Sequence, residues 1–239
     1  MFNQRGGGFA TLPTVTKNLL IINVILFIAT LLLKKQGIDL TEKLGLHYYK
    51  ASLFKPYQFI TYLFMHGSFM HLFFNMFAVY MFGSVLENAW GPKKFLTYYI
   101  FTGLGAALTQ YVVFYYQLAP IIENANTLLA ETKDYNRQSD IANELNQIFN
   151  YPNFTVVGAS GSLFGLLIAF GMMFPNAELM MLFLPIPIKA KYFVAIYGAI
   201  ELFSGIANSA SDNVAHFAHL GGMFFGFILL MIWRKQRRN

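Results

Sequence analysis

Three groups of polar side chains interrupt stretches that are otherwise apolar, and each carries a function suited to acyl transfer. Ser160 lies in Gly158-Ala159-Ser160-Gly161-Ser162-Leu163-Phe164-Gly165, His219 in Ala218-His219-Leu220-Gly221-Gly222, and His71 and Asn75 in His71-Leu72-Phe73-Phe74-Asn75. Polar groups in hydrocarbon-compatible segments are costly unless paired, which makes each a candidate for function. A serine hydroxyl becomes a nucleophile when an imidazole within about 2.6–3.2 Å takes its proton. The small residues beside Ser160 and His219 permit the close helix approach that such a meeting needs. His71 and Asn75 are four residues apart, so they share a helix face and can donate hydrogen bonds to an anionic oxygen beside the Ser160 backbone N–H. Together these residues point to a hydrolase working within a membrane.

Each residue also has a plainer reading. Pro152 marks a loop before the Ser160 segment, so the helix begins near Ser160 and the hydroxyl can simply cap it. The glycines weigh against that reading. Gly161 and Gly165 repeat the small-xxx-small spacing of close helix contacts. His219, Gly222 and Gly226 fall on one helical face at i, i+3 and i+7. His71 and Asn75 can instead be interhelical glue, worth roughly 0.6–2 kcal/mol per contact. His216 lies one turn outward of His219 as a competing base or as an interfacial histidine facing water. His66, His71, His216 and His219 raise the question of a metal, but neither His-Glu-x-x-His nor added carboxylate ligands occur. No metal and no cofactor is expected.

The elements that must position these groups follow from hydropathy. The 239 residues are 56% hydrophobic and 12% charged, with 26 Phe and no Cys, whereas soluble domains are about a quarter charged. Mean hydropathy is +0.47. Six apolar segments, at 18–33, 57–82, 95–116, 157–174, 190–207 and 214–233, each come near the ~20 residues of a spanning helix. The expected fold is all-α and polytopic, a bundle of six transmembrane helices over 18–233. A short segment, 1–17, precedes it and a basic tail, 234–239, follows. The polar stretch 117–153 is an exposed insertion with a helix-compatible run from Tyr135 to Phe149, and its role is not readable. Cysteine chemistry is excluded, and no solenoid-length repeat is present.

Basic residues set the orientation. With both termini cytoplasmic, the inside carries ten Lys and Arg against Glu87 and Glu178, while the outside carries seven against eight acids. The net charge of +6 therefore follows topology rather than nucleic-acid binding. The first apolar segment lacks a small-residue cleavage site and reads as a retained span. Without an organelle presequence, a bacterial inner membrane is the expected location.

No acid lies within helical reach of His219 on its own segment, and Asp212 is seven residues earlier. Glu201, inside the fifth segment, reads as a structural or hydrated group. Glu87 reads as fixing the inner turn beside Lys93 and Lys94. A two-residue Ser–His arrangement is therefore expected, with packing rather than a carboxylate holding the imidazole.

In their order and spacing, Gly158-Ala159-Ser160-Gly161, Ala218-His219-Leu220-Gly221-Gly222 with Gly226, and His71-x-x-x-Asn75 resemble the rhomboid intramembrane serine proteases. Gly83-x-x-x-Glu87 and Gly91 match as well, and the resemblance runs from about Pro13 to Trp233. It implies that Ser160 attacks a peptide bond, that His219 is its base, and that His71, Asn75 and the Ser160 amide form the oxyanion hole. It also implies an aromatic residue four positions after the serine, stacked on the imidazole. The family commonly has Tyr there and this chain has Phe164, which stacks but cannot hydrogen-bond. Tyr57 stands where the family often has Trp.

Such chemistry needs a water-accessible cavity, for which Gly67-Ser68 and Ser204 to Asn213 are natural rims. The expected substrates are other transmembrane proteins, cut near the outer face where their helices unwind, with membrane lipids as the other partner. Oligomeric state is not readable. Two other classes fit the same composition: a catalytically silent relative that binds membrane helices, and a small transporter. A silent relative normally lacks the serine or histidine, and a transporter normally shows more intramembrane charge or an internal repeat.

Overall fold

The computed structural model describes residues 12–150, 154–181, 184–207 and 214–236. Asp212, most of the 1–17 segment, the 208–213 part of the expected rim and the end of the basic tail lie outside them. The fold is a helical polytopic membrane bundle. Among the described residues, four helices are long and apolar enough to cross a membrane by length and composition. They are α1 (Thr14–Lys34), a 22-residue helix at Phe69–Trp90, α9 (Ala190–Ala207) and α10 (His216–Gln236). A count of six adds α6 (Pro92–Glu131) and α8 (Ser160–Met173).

The second span differs from its expected 57–82 bounds. Residues 57–64 are apolar, but they fold as the short helix α3 (Gln58–Thr61) and a tight helical turn at Tyr62–Phe64. This part belongs to the outer loop, together with α2 (Leu40–Leu44) and the two-residue strand β1 (Leu46–His47). Buried Gln58 pins the loop, donating to the Leu53 and Lys43 carbonyls and accepting from the Lys55 N–H. The spanning helix begins only after Ser68, whose hydroxyl caps it by accepting from the His71 N–H at 3.1 Å. It then runs as α4 (Phe69–Ala78), a π-helical turn at Val79–Gly83 and α5 (Ser84–Trp90).

The described part of the insertion, 117–150, is largely helical. α6 continues without a break through Pro120 to Glu131, 40 residues in all. At 1.5 Å per residue this is about 60 Å, twice the hydrocarbon thickness. α7 (Tyr135–Phe149), capped by Asp134, folds back against it. Phe149 packs near Tyr48, with ring centroids 5.8 Å apart. Strand β2 (Thr155–Val156) then pairs antiparallel with β1.

α8 is apolar apart from Ser160 and Ser162, and ten of its 14 residues are buried. A helix with no polar face belongs in the centre of a bundle, and this one packs against α6, α9 and α10. The Ser162 hydroxyl donates to the Tyr99 carbonyl at 2.7 Å, and Tyr98 donates to the Gly165 carbonyl at 2.9 Å, tying α8 to α6. The connection after α8, with Pro185 and Pro187, forms an antiparallel hairpin of β3 (Glu178–Met181) and β4 (Leu184–Lys189), which hydropathy did not suggest.

Candidate active site

The crossing of α8 and α10 is what brings the polar groups together. A Cβ on Gly222 would overlap the Gly161 carbonyl oxygen, and one on Gly226 would stand 3.3 Å from the Gly165 Cα. The two backbones therefore touch where only hydrogen fits, and the histidine one turn before Gly222 is carried to the start of α8. Ser160 is the first residue of that helix. Ala159 holds the cap position, and no side chain caps there. The Ser160 hydroxyl does not cap the helix; its Oγ lies 2.7 Å from His219 Nε2.

Gly158 fixes the approach to the serine. Its φ of +127° is one that side-chain-bearing residues rarely adopt, and a Cβ there would meet the His71 ring at 2.8 Å. Its N–H donates to the Tyr62 carbonyl at 2.9 Å. The first hydrogen bond of α8 runs from the Leu163 N–H to the Ala159 carbonyl. The amides of Ser160 to Ser162 thus precede the helical ladder, as helix geometry requires.

On its other side, His219 meets a carboxylate. Its Nδ1 lies 2.8 Å from Glu201 Oε2, and His216 Nδ1 lies 2.7 Å from the same oxygen. This corrects the expectation that packing alone holds the imidazole, and the reading of His216 as a histidine facing water. Helical periodicity along α10 could not reveal Glu201, because it projects from α9, the neighbouring helix. An ionised carboxylate only accepts, so both Nδ1 atoms carry hydrogen. In the neutral imidazole, His219 Nε2 is then the bare nitrogen, oriented to accept the Ser160 O–H. Phe164 completes the setting, its ring stacked on that of His219 with centroids 4.3 Å apart and planes 9° apart.

His71, Asn75 and Ser160 line one cavity of about 750 Å³ whose other walls are largely apolar. Asn75 spends one amide hydrogen on the His71 carbonyl at 2.9 Å, and its buried Oδ1 has no partner among the described residues. Glu201 reaches the same cavity, as do Phe193 and Tyr197 of α9 and Leu179 and Met180 of the hairpin, none of them suggested as wall residues by the sequence. For Glu201 a signal was present, since it is the lone acid inside the fifth apolar segment.

Glu201, His216 and His219 also each offer one metal-ligand atom, all within 4.8 Å of one another. The 2.7 and 2.8 Å separations are hydrogen-bond lengths, shorter than the roughly 3.3 Å between neighbouring ligands of a tetrahedral zinc. His66 and His71 are not part of that group; their rings pack against each other with centroids 5.0 Å apart.

Residues 54–236 match the Rhomboid domain, which is more than half of the chain. The chain belongs to the rhomboid family. Members of that family are in general intramembrane serine proteases, although some are inactive. The chain is 28% identical over 184 residues to "Putative rhomboid protease YdcA" of Bacillus subtilis, covering 76% of this chain and 70% of that protein. It is 26% identical over 180 residues to "Rhomboid protein 1, mitochondrial" of Saccharomyces cerevisiae, covering 74% of this chain and 42% of the yeast protein. It is 25% identical over 185 residues to "Rhomboid-like protein 11, chloroplastic" of Arabidopsis thaliana, covering 75% of this chain and 53% of the plant protein.

Proposed function

We propose that this rhomboid is an active intramembrane serine endopeptidase, with Ser160 as nucleophile and His219 as general base, cutting transmembrane proteins. The observation that carries the reading is the 2.7 Å separation of Ser160 Oγ and His219 Nε2 inside an apolar bundle. Burial of a hydroxyl and an imidazole has a cost that their mutual hydrogen bond offsets, and that bond lies on the path of the proton to be moved.

His219 Nε2 takes the Ser160 proton as Oγ bonds to the substrate carbonyl carbon. His71, Asn75 and the amides at the start of α8 receive the oxyanion. The C–N bond then breaks, and the amine leaves with the proton returned by His219. Water, deprotonated by the same imidazole, hydrolyses the acyl-enzyme and releases Ser160.

A peptide bond inside an intact helix is shielded by its own hydrogen bonds, so substrates with small or helix-breaking residues near the cut are favoured. The excess of Lys and Arg on one side supports cytoplasmic termini and, with them, a site in the outer half of the membrane; the membrane proposed is a bacterial inner membrane. Lipids form the remaining surroundings.

Purified protein is expected to bind a fluorophosphonate probe covalently and to cleave a helical reporter. Ser160→Ala is expected to lose both while keeping its melting temperature within a few degrees. Cleavage retained by that variant would remove Ser160 from the mechanism.

A further inference from the structure

We propose that Glu201 is a positioning residue which turns the Ser160–His219 pair into a three-member chain, with His216 fixing the carboxylate from the side. The inference rests on the reading of Ser160 and His219 as nucleophile and base. It departs from the arrangement expected from the sequence, in which no acid takes part.

Four features of the structure converge on it. First, the Glu201–His219 contact is on the far nitrogen of the base, Nδ1, while Nε2 faces Ser160. Nucleophile, base and orienting group therefore stand in line. Second, Glu201 is 8% exposed and sits on a largely apolar helix, where an acid is expensive unless strong donors meet it. Third, among the described residues both donors that meet it are imidazoles on one face of α10, at i and i+3, and both bond the same oxygen. A carboxylate needed only as helix glue is satisfied by His216, one turn further out. The bond to His219 is the one that touches the reaction. Fourth, the Phe164 ring stacks flat on the imidazole and leaves its edge, with both nitrogens, free for Glu201 and Ser160.

The consequence is twofold. In the resting state the carboxylate fixes the tautomer with hydrogen on Nδ1, so that Nε2 is always the accepting nitrogen. When His219 takes the serine proton, the imidazolium forms at hydrogen-bond distance from an anion in a low-dielectric setting. No proton passes to Glu201 in this scheme; its role is orientation and charge stabilisation. His216 donates to the same oxygen and restricts the carboxylate's swing, so its removal loosens the chain without breaking it.

The test uses the full-length protein in detergent micelles or vesicles, with a helical reporter substrate. Glu201→Gln keeps size and shape but removes the charge and allows the amide to donate towards Nδ1, which favours the wrong tautomer. It is expected to lower kcat by at least about 100-fold, with KM within about threefold and the melting temperature little changed. Glu201→Asp is expected to recover part of that loss. His216→Asn is expected to stay within about tenfold of the parent. The histidine Nδ1–H proton resonance of His219, assigned by its loss in His219→Gln, is expected in the parent and absent in Glu201→Gln. The glutamine variant turning over within threefold of the parent, with that resonance unmoved, overturns the proposal. Should Glu201→Gln fail to fold, Glu201→Asp and the resonance decide by the same criteria. Ser160→Ala separates the two readings: if it is inactive while Glu201→Gln works normally, only the positioning role falls. If Ser160→Ala still cleaves, the nucleophile itself was misassigned.

Discussion

Two carboxylates are buried at opposite ends of this bundle, and the company each keeps gives it a different job. Glu87, 3% exposed near the end of α5, accepts from the Val15 and Thr16 amides at 2.9 and 2.7 Å and from the Thr16 hydroxyl at 2.8 Å. Pro13 precedes α1 and provides no side-chain cap, so Glu87 caps that helix from across the bundle. Glu87 was expected to fix the inner turn through hydrogen bonds or charge pairing, and the hydrogen bonds it makes go to the start of α1. Lys94 stands over the Trp233 ring at 4.1 Å. Glu201 has two imidazoles as partners. Amide and hydroxyl donors do not change protonation in ordinary turnover, whereas imidazoles do. The first carboxylate is therefore a structural clamp, and the second adjoins the proposed proton transfer.

The sharpest way to break that contrast is to make the same substitution at both ends. Glu87→Gln is expected to lower stability by about 2–4 kcal/mol, because two helix-terminal amides and a hydroxyl lose a charged acceptor. Turnover per folded molecule is expected to stay within about threefold. Glu201→Gln is expected to do the reverse. Melting curves and active-site titration on the two variants decide it. Equal losses of stability in both, with turnover of the folded fraction intact, would mean that the two carboxylates are alike after all.

Asn75 tests the contrast from the oxyanion side. Each well-placed donor to a developing oxyanion is worth about 10²-fold or more in kcat, so Asn75→Ala is expected to slow turnover by about that factor with KM little changed. Its stability effect should be smaller than that of Glu87→Gln, because the hydrogen bond to the His71 carbonyl is lost together with a buried Oδ1 that has no partner among the described residues. A drop in melting temperature with unchanged kcat would assign Asn75 to helix glue.

What the sequence made legible, and what it hid, divides along the same physical line. The meeting of Ser160 with His219 was readable because glycines at 161, 165, 222 and 226 mark where two backbones touch, and that mark is local to each helix. Glu201 was visible as an intramembrane acid, but its partner was not, since the pairing of α9 with α10 has no signal in either helix alone. Hydropathy misplaced the second span because it detects where apolar residues are, not where Ser68 caps a helix. It likewise ended the third span at 116, where the apolar run ends, whereas the helix itself runs on to Glu131. The π-helical turn and the proline-bearing hairpin left no periodic trace.

Phe164 supplies the smallest and most discriminating measurement. It is buried against His219 in parallel stacking, a geometry that fixes the plane of the imidazole while Glu201 and Ser160 fix its direction within that plane. Phe164→Leu keeps a similar apolar volume and removes the flat surface, so its stability cost should be below about 1.5 kcal/mol. Aromatic stacking is worth about 0.5–1.5 kcal/mol beyond area burial, which translates to a roughly two- to tenfold fall in kcat if the ring plane matters to proton transfer. Combining Phe164→Leu with Glu201→Gln carries the argument further. Both side chains act through one imidazole, so their effects should be less than additive in the logarithm of kcat. Full additivity would indicate that the two side chains act independently, and not through a shared hold on His219.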